Sequence, residues 1–229
     1  LTEYPLPRAV IFDWDNTLVD SWGAIEEAIN YVRARYGLPT WNRVEILANC
    51  TRSARDSFPD WFGDKWEEAC KDYYAAFDKV RVRRGLDPAQ GAADLLAWLL
   101  ENNIPALVVS NKSGPYLREE ETHLGWNKYF VAVVGAGDAI SDKPARECAE
   151  HALRIAGIEA GADIWFIGDS ETDVTCARNA GCWPVLVGDG AFARKLGVEC
   201  FAADCGKIVE LLKNMNCARS ANNKKKGNI

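Results

Sequence analysis

The stretch Ala9-Val10-Ile11-Phe12-Asp13-Trp14-Asp15-Asn16-Thr17-Leu18-Val19-Asp20-Ser21 decides how the rest of the chain is read. Its first four residues are apolar, β-branched or aromatic in the main, the composition of a strand covered on both faces of a sheet. Two carboxylates separated by one residue follow at once, then a hydroxyl. If extended backbone continues for two residues, Asp13 and Asp15 point to the same side. They then sit at the carboxyl edge of a parallel sheet, where such folds open into a ligand crevice. Like charges held that close either share a cation or have their pKa values driven apart. Both outcomes suit catalysis. A plain turn after a strand also favours Asp and Asn, so the remaining sequence must decide.

The chain has 229 residues, a length that suits one domain or two small ones. Hydrophobic residues make up 48% and charged residues 26%, enough of each for a soluble protein with a full core. A net charge of -6 argues against a nucleic-acid surface, which needs a basic stripe. No apolar run approaches the ~20 residues that span a bilayer, and the first residues lack the basic and apolar regions of a signal peptide. A cytoplasmic location without membrane contact is the expectation. Eight cysteines (50, 70, 148, 176, 182, 200, 205 and 217) contain no Cys-x-x-Cys, and only His123 and His151 add imidazoles. That spacing does not support zinc; free thiols in a reducing compartment are expected. The nine tryptophans read chiefly as packing residues.

Apolar residues at Trp22, Ile25, Ile29 and Val32 predict a helix over 22–35, stopped by Gly37 and Pro39. Residues 43–47 and 61–77 read as further helices, with a polar loop over 49–56 between them. No strand is expected from 21 to 84, so this stretch reads as a helical cap. A helix starting at Asp87-Pro88 and continuing over 92–102 precedes a buried strand, 104–111, which ends in Ser110-Asn111. Helix 116–123, an apolar run over 129–135, Asp142-Lys143-Pro144 and helix 145–156 follow. Residues 163–170 form the clearest buried strand, ending in Gly168-Asp169-Ser170. A helix from about Asp173, strands at 183–187 and 200–202, and a helix over 208–215 complete the series. Strands alternating with helices predict an α/β fold, a Rossmann-like doubly wound parallel sheet. The expected division is a core of residues 1–20 and 85–215, a helical cap of 21–84 inserted after the first strand, and a flexible tail of 216–229.

Polar groups therefore collect at strand ends: Asp13 and Asp15, Ser110 and Asn111, Lys143, and Asp169 with Asp173. Hard oxygen ligands without His or thiolate point to Mg²⁺. Magnesium with a lysine and a hydroxyl suits a phosphoryl group. A Gly-x-x-x-x-Gly-Lys-Ser/Thr loop is absent, so phosphoryl chemistry would need a side-chain nucleophile, for which a carboxylate is available. Each residue has an ordinary alternative: Ser110 or Asp173 as a helix cap, Lys143 as an exposed loop lysine.

Taken together, Asp13-x-Asp15-x-Thr17-Leu18, Ser110, Lys143-Pro144 and Gly168-Asp169-Ser170-x-x-Asp173 resemble, in order and spacing, the four motifs of the haloacid dehalogenase superfamily of phosphohydrolases. The likeness extends to about residue 215, and the helical insertion resembles that superfamily's C1 cap. The resemblance implies that Asp13 attacks phosphorus and that Asp15 protonates the leaving alcohol and then deprotonates water. It implies that Ser110 and Asn111, with Thr17, contact the phosphoryl group, and that Lys143 offsets charge. It also implies Mg²⁺ on Asp13, the Asp15 carbonyl, Asp169 and Asp173. The departures are Trp14, expected to pack under the sheet, and Asn16, which tolerates glycine-like turns.

Residues 17–21 with this cap further resemble phosphoglycolate phosphatases, which implies a small phosphorylated metabolite as partner and a monomer or homodimer. Arg52 and Arg55 are cap candidates for a substrate carboxylate or second phosphate. A phosphosugar mutase like β-phosphoglucomutase and a non-catalytic phosphate-binding module are the alternatives. Phosphonate hydrolysis would want a cap lysine (Lys65, Lys71 or Lys79), and dehalogenation is disfavoured by Asp15.

Overall fold

The computed structural model describes residues 6–226, with side chains to residue 216. Six strands, β1 (Ala9–Phe12), β2 (Ala106–Ser113), β3 (Phe130–Ala136), β4 (Ile164–Gly168), β5 (Trp183–Val187) and β6 (Cys200–Ala202), form one sheet in the order β3-β2-β1-β4-β5-β6. Every pairing is parallel, so the α/β doubly wound reading is borne out. The chain steps outward from β1 through β2 to β3 and returns to β4 on β1's other side. This reversal of direction opens a crevice at the strands' carboxyl ends, and β1 delivers its carboxylates there.

Alternation of side chains along each strand divides the core in two. Val10, Phe12, Ala106, Val108, Trp165 and Ile167 face helices α5 (Ala92–Glu101), α6 (Gly114–His123) and α10 (Cys205–Lys226) through Leu95, Leu99, Leu117, Ile208 and Leu212. Ala9, Ile11, Leu107, Val109, Ile164 and Phe166 face α7 (Glu147–Ala156) and α8 (Glu171–Asn179) through Ala149, Leu153 and Ala177. Covered on both faces, the strands are apolar throughout, which is why they were legible.

Residues 22–84 are helical: α1 (Trp22–Arg35), α2 (Arg43–Asn49), α3 (Ala54–Phe62), a single 3-10 turn at Gly63–Lys65, and α4 (Trp66–Arg84). They enclose cores of their own, one on Ile29, Val32, Ile46, Phe58 and Ala69 with Tyr36, Trp41, Trp61 and Tyr73, another on Ala28, Ala76 and Phe77. Asn42 opens α2 with a capping box to Glu45. The chain enters and leaves this insertion side by side, with Val19 and Pro88 bridged and the Ala89 N–H donating to the Leu18 carbonyl.

Several expectations need correction. The helix read over 61–77 is interrupted, because Gly63 adopts φ +55° and closes α3. The polar loop ends at Ser53, and α3 takes up residues 54–56. Pro88 pairs with Val19 instead of starting a helix, and α5 begins at Ala92 after left-handed Gly91. A short helix, α9 (Gly190–Lys195), is capped by Asp189 and was not expected. The final helix α10 runs to Lys226, so the stretch read as a tail is helical as far as residue 226; 227–229 lie outside the described residues. Cys50, Cys70, Cys148, Cys176, Cys182, Cys200 and Cys205 are free thiols, and the Cys217 side chain lies outside the described set. Trp14 is fully buried, as the packing reading expected. Among the described residues no helix is long and apolar enough to cross a membrane.

Candidate active site

Beyond β1, the Asp13 N–H donates to the Ile167 carbonyl (2.9 Å), prolonging the sheet just far enough to place the Asp13 carboxylate over its edge. The chain then folds back: the Leu18 and Val19 N–H groups donate to the Trp14 carbonyl at 2.9 and 3.1 Å. Asn16 makes this turn by adopting φ +66°, and its Oδ1 accepts from the Ser21 N–H at 3.2 Å. Asn is among the few residues with a side chain that enter this region readily. Thr17 is buried, its Oγ1 3.4 Å from Asp13 Oδ2.

Lys143 arrives from the loop after β3, joined to Pro144 by a cis peptide bond. Its peptide is clamped by one side chain: the Lys143 N–H donates to Asn111 Oδ1 (3.0 Å) and Asn111 Nδ2 donates to the Lys143 carbonyl (3.1 Å). Lys143 Nζ donates to Asp13 Oδ1 and, at 2.7 Å, to Asp173 Oδ1. Asp173 divides its two oxygens between two tasks. Oδ2 accepts from the Ser170 N–H (3.0 Å) and Oγ (2.6 Å), the capping box that opens α8, while Oδ1 faces Lys143. The N-cap of α8 is Ser170 and not Asp173, which serves the cap from the third helical position with one oxygen only.

Burial pushes the Asp13 carboxyl up to about 7, against the pull of Lys143 and with further repulsion from Asp173 and Asp15. Asp169 is raised well above the usual carboxylate range by burial and then by Asp13 and Asp173. Burial works against the Lys143 ammonium, yet Asp13 and Asp173 outweigh it and raise its pKa. Carboxylate oxygens of Asp13, Asp169 and Asp173 lie within 4.8 Å of one another. Three hard, mutually repelling oxygen donors fit Mg²⁺, whose binding would relieve that repulsion. The Asp15 carboxylate is not part of this cluster; its Oδ1 accepts from Lys112 Nζ at 2.6 Å. Ser110 is buried and its Oγ accepts from the Lys112 N–H at 3.1 Å.

These groups form the floor of a cavity of ≈ 1400 Å³, roofed by Trp22, Phe58, Trp61, Tyr73, Tyr74 and Phe77 of the helical insertion. The profile of haloacid dehalogenase-like hydrolases matches residues 10–187. The chain belongs to that family. A phosphoglycolate phosphatase of Chromobacterium violaceum is 28% identical over 228 residues, covering 90% of this chain and 97% of its own. A haloacid dehalogenase-superfamily hydrolase from Ehrlichia chaffeensis superposes with a TM-score of 0.65 at 28% identity, over 93% of this chain and 99% of that one. CbbY from Rhodobacter sphaeroides, in complex with phosphate, shares the fold with a TM-score of 0.76 at 18% identity, over 89% and 96% of the two chains.

Within this haloacid dehalogenase-like hydrolase, Asp13, Asp15, Thr17, Ser110, Asn111, Lys143, Asp169 and Asp173 all border one cavity. The two cap arginines part company. Arg52 borders the cavity while paired with Asp60 (2.7 Å). Arg55 is not among the cavity's lining residues; it makes a two-pronged pair with Asp142, Nε to Oδ2 at 2.6 Å and Nη2 to Oδ1 at 2.7 Å, fastening cap to core beside Lys143. Three residues escaped the sequence reading: Lys112 on Asp15, Glu120 on Lys112, and Thr51, whose carbonyl accepts from Asn111 Nδ2 (3.3 Å) and Thr172 Oγ1 (3.2 Å). β2 runs to Ser113, but its register against β3 shifts between Val109 and Ser113, so simple alternation along the strand does not give the direction of Lys112.

Proposed function

We propose that this hydrolase is a magnesium-dependent phosphatase acting on a small phosphomonoester through an aspartyl-phosphate on Asp13. The reading is carried by one observation: Asp13 is buried at the cavity floor with Oδ1 held by Lys143, in a cluster with Asp169 and Asp173. In this reading Oδ2 of Asp13 attacks phosphorus, and the bond from phosphorus to the ester oxygen breaks. Asp15 delivers a proton to the departing oxygen. It then takes a proton from water, whose oxygen attacks phosphorus, releasing phosphate and restoring Asp13. Ser110 Oγ and the Lys143 ammonium face charge on the transferring phosphoryl group. Asn111 works through Lys143, whose peptide it clamps. Asp13, Asp169 and Asp173 would hold Mg²⁺, which supplies positive charge against the phosphoryl oxygens when bound.

The relatives' activity makes 2-phosphoglycolate the leading substrate. Arg52 is the one charged residue that the cap contributes to the cavity lining, so a substrate carboxylate would depend on it. The test is phosphate release from 2-phosphoglycolate, hexose phosphates, nucleoside monophosphates and p-nitrophenyl phosphate, with Mg²⁺ or EDTA. Mg²⁺-dependent release that Asp13→Asn abolishes is the expected result. Arg52→Ala should raise KM for 2-phosphoglycolate by about tenfold or more, the worth of a charge-assisted contact, and leave p-nitrophenyl phosphate unaffected. Isomerisation of a sugar phosphate without release would establish a mutase instead, and inactivity in both assays a binding module.

A further inference from the structure

We infer that Lys112 is the positioning residue of Asp15, itself held in place by Glu120 and Trp14. Lys112 Nζ lies 2.6 Å from Asp15 Oδ1 and 2.6 Å from Glu120 Oε2, and Glu120 Oε2 also accepts from Trp14 Nε1 at 2.7 Å. Glu120 is wholly buried and the Lys112 side chain is 6% exposed. Burying such a pair is costly, and apolar side chains of similar size commonly hold a fold as well or better. A buried Lys-Glu pair one contact from the cavity therefore calls for a purpose beyond packing.

The geometry supplies that purpose. Asp15 belongs to a tight turn, and a free aspartate there has several staggered rotamers open to it. Lys112 takes one oxygen, Oδ1, and so fixes the direction in which the other is offered. Proton delivery to a leaving oxygen depends on such orientation. A lysine stem is itself flexible, and Glu120, on the rigid helix α6, removes that freedom. The Trp14 indole in turn fixes Glu120. The chain thus runs Asp15, Lys112, Glu120, Trp14, and returns to the residue next to Asp15. The cap reaches the same network from above: the Phe77 ring centroid lies 4.9 Å from Lys112 Nζ, and Arg81 Nη1 is 4.0 Å from Glu120 Oε1.

The inference rests on the proposed roles of Asp13 and Asp15, and leaving-group dependence tests it separately from them. An alkyl phosphate needs a proton on its departing oxygen; p-nitrophenolate does not. Lys112→Met should lower kcat for the best alkyl phosphate by roughly ten- to a hundredfold, part of what a general acid contributes, with KM within about threefold. The single-turnover burst of p-nitrophenolate should stay within about threefold of wild type, and Lys112→Arg should recover much of the alkyl rate. Equal losses on both substrates would mark a merely structural lysine and overturn the inference. Glu120→Gln keeps an oxygen for Trp14 and carries the test if Lys112→Met does not fold: the same selectivity, in milder form, is expected, and an unchanged ratio overturns. A burst that survives in Asp13→Asn would instead overturn the nucleophile assignment.

Discussion

Lys143, with 3% of its side chain exposed, stands between Asp13 and Asp173, each of whose side chains is under a tenth exposed. Removing it leaves the carboxylates facing one another with no cation, and breaking a buried pair on one side costs about 3–5 kcal/mol. Lys143→Met should therefore lower unfolding stability in EDTA by about that amount at pH 7.5. With Mg²⁺ on the folded cluster as proposed, millimolar Mg²⁺ should restore part of the loss by mass action. Urea titrations with and without the metal check both statements; a variant as stable as wild type in EDTA would mean that the pair is no net support. Asn111 belongs to the same account. Its amide is spent on the Lys143 peptide, so Asn111→Ala should act by loosening Lys143, lowering kcat more than it raises KM.

At the scale of elements, α8 is seated against β4 by the absence of a side chain at Gly168. A Cβ there would lie 2.3 Å from Asp173 Cγ and 2.4 Å from its Cβ. Gly168→Ala should push the start of α8 away, costing about 1–3 kcal/mol in overpacking and more than tenfold in phosphate release, since Asp173 moves off Lys143. Chemical denaturation and the phosphate assay read the two effects. The elements also show what a sequence reveals. β1 and β4 were plain because strands buried on both faces are runs of apolar residues, and their terminal carboxylates stand out by contrast. The end of β2 was not, since Lys112 is polar and its partners lie 97 and 8 residues away. Arg55 read as a substrate contact for the same reason: Asp142, which takes its guanidinium, is 87 residues distant. The last turns of α10 lacked an apolar stripe to betray them, though their Ala, Arg and Lys residues favour helix by propensity.

Over the whole molecule the apolar cores belong either to the helical insertion or to the sheet and its helices. Arg55–Asp142, Arg81–Glu119 and the Tyr74–Tyr116 stack at 4.4 Å join the two parts. The thiols titrate with both parts. Burial pushes Cys182 up to about 11, Cys200 and Cys205 up to about 12, and Cys50 up to about 12 despite the pull of Arg33. In the unfolded chain these groups lose their protons near the ordinary thiol pKa of about 8.5. Between that value and 11, the folded protein holds more protons than the unfolded one. Stability must then fall as pH rises, by at most about 1.4 kcal/mol per pH unit for each thiol. The urea midpoint, measured under reductant from pH 8 to 10, should move steadily downward. Below pH 10 most lysines and tyrosines of the unfolded chain remain protonated, so the slope in this window belongs chiefly to the thiols. Cys205→Ala should flatten it by one thiol's share, whatever the substitution does to stability at neutral pH. A midpoint constant across the window would show that the buried thiols ionise in the folded protein as readily as in water.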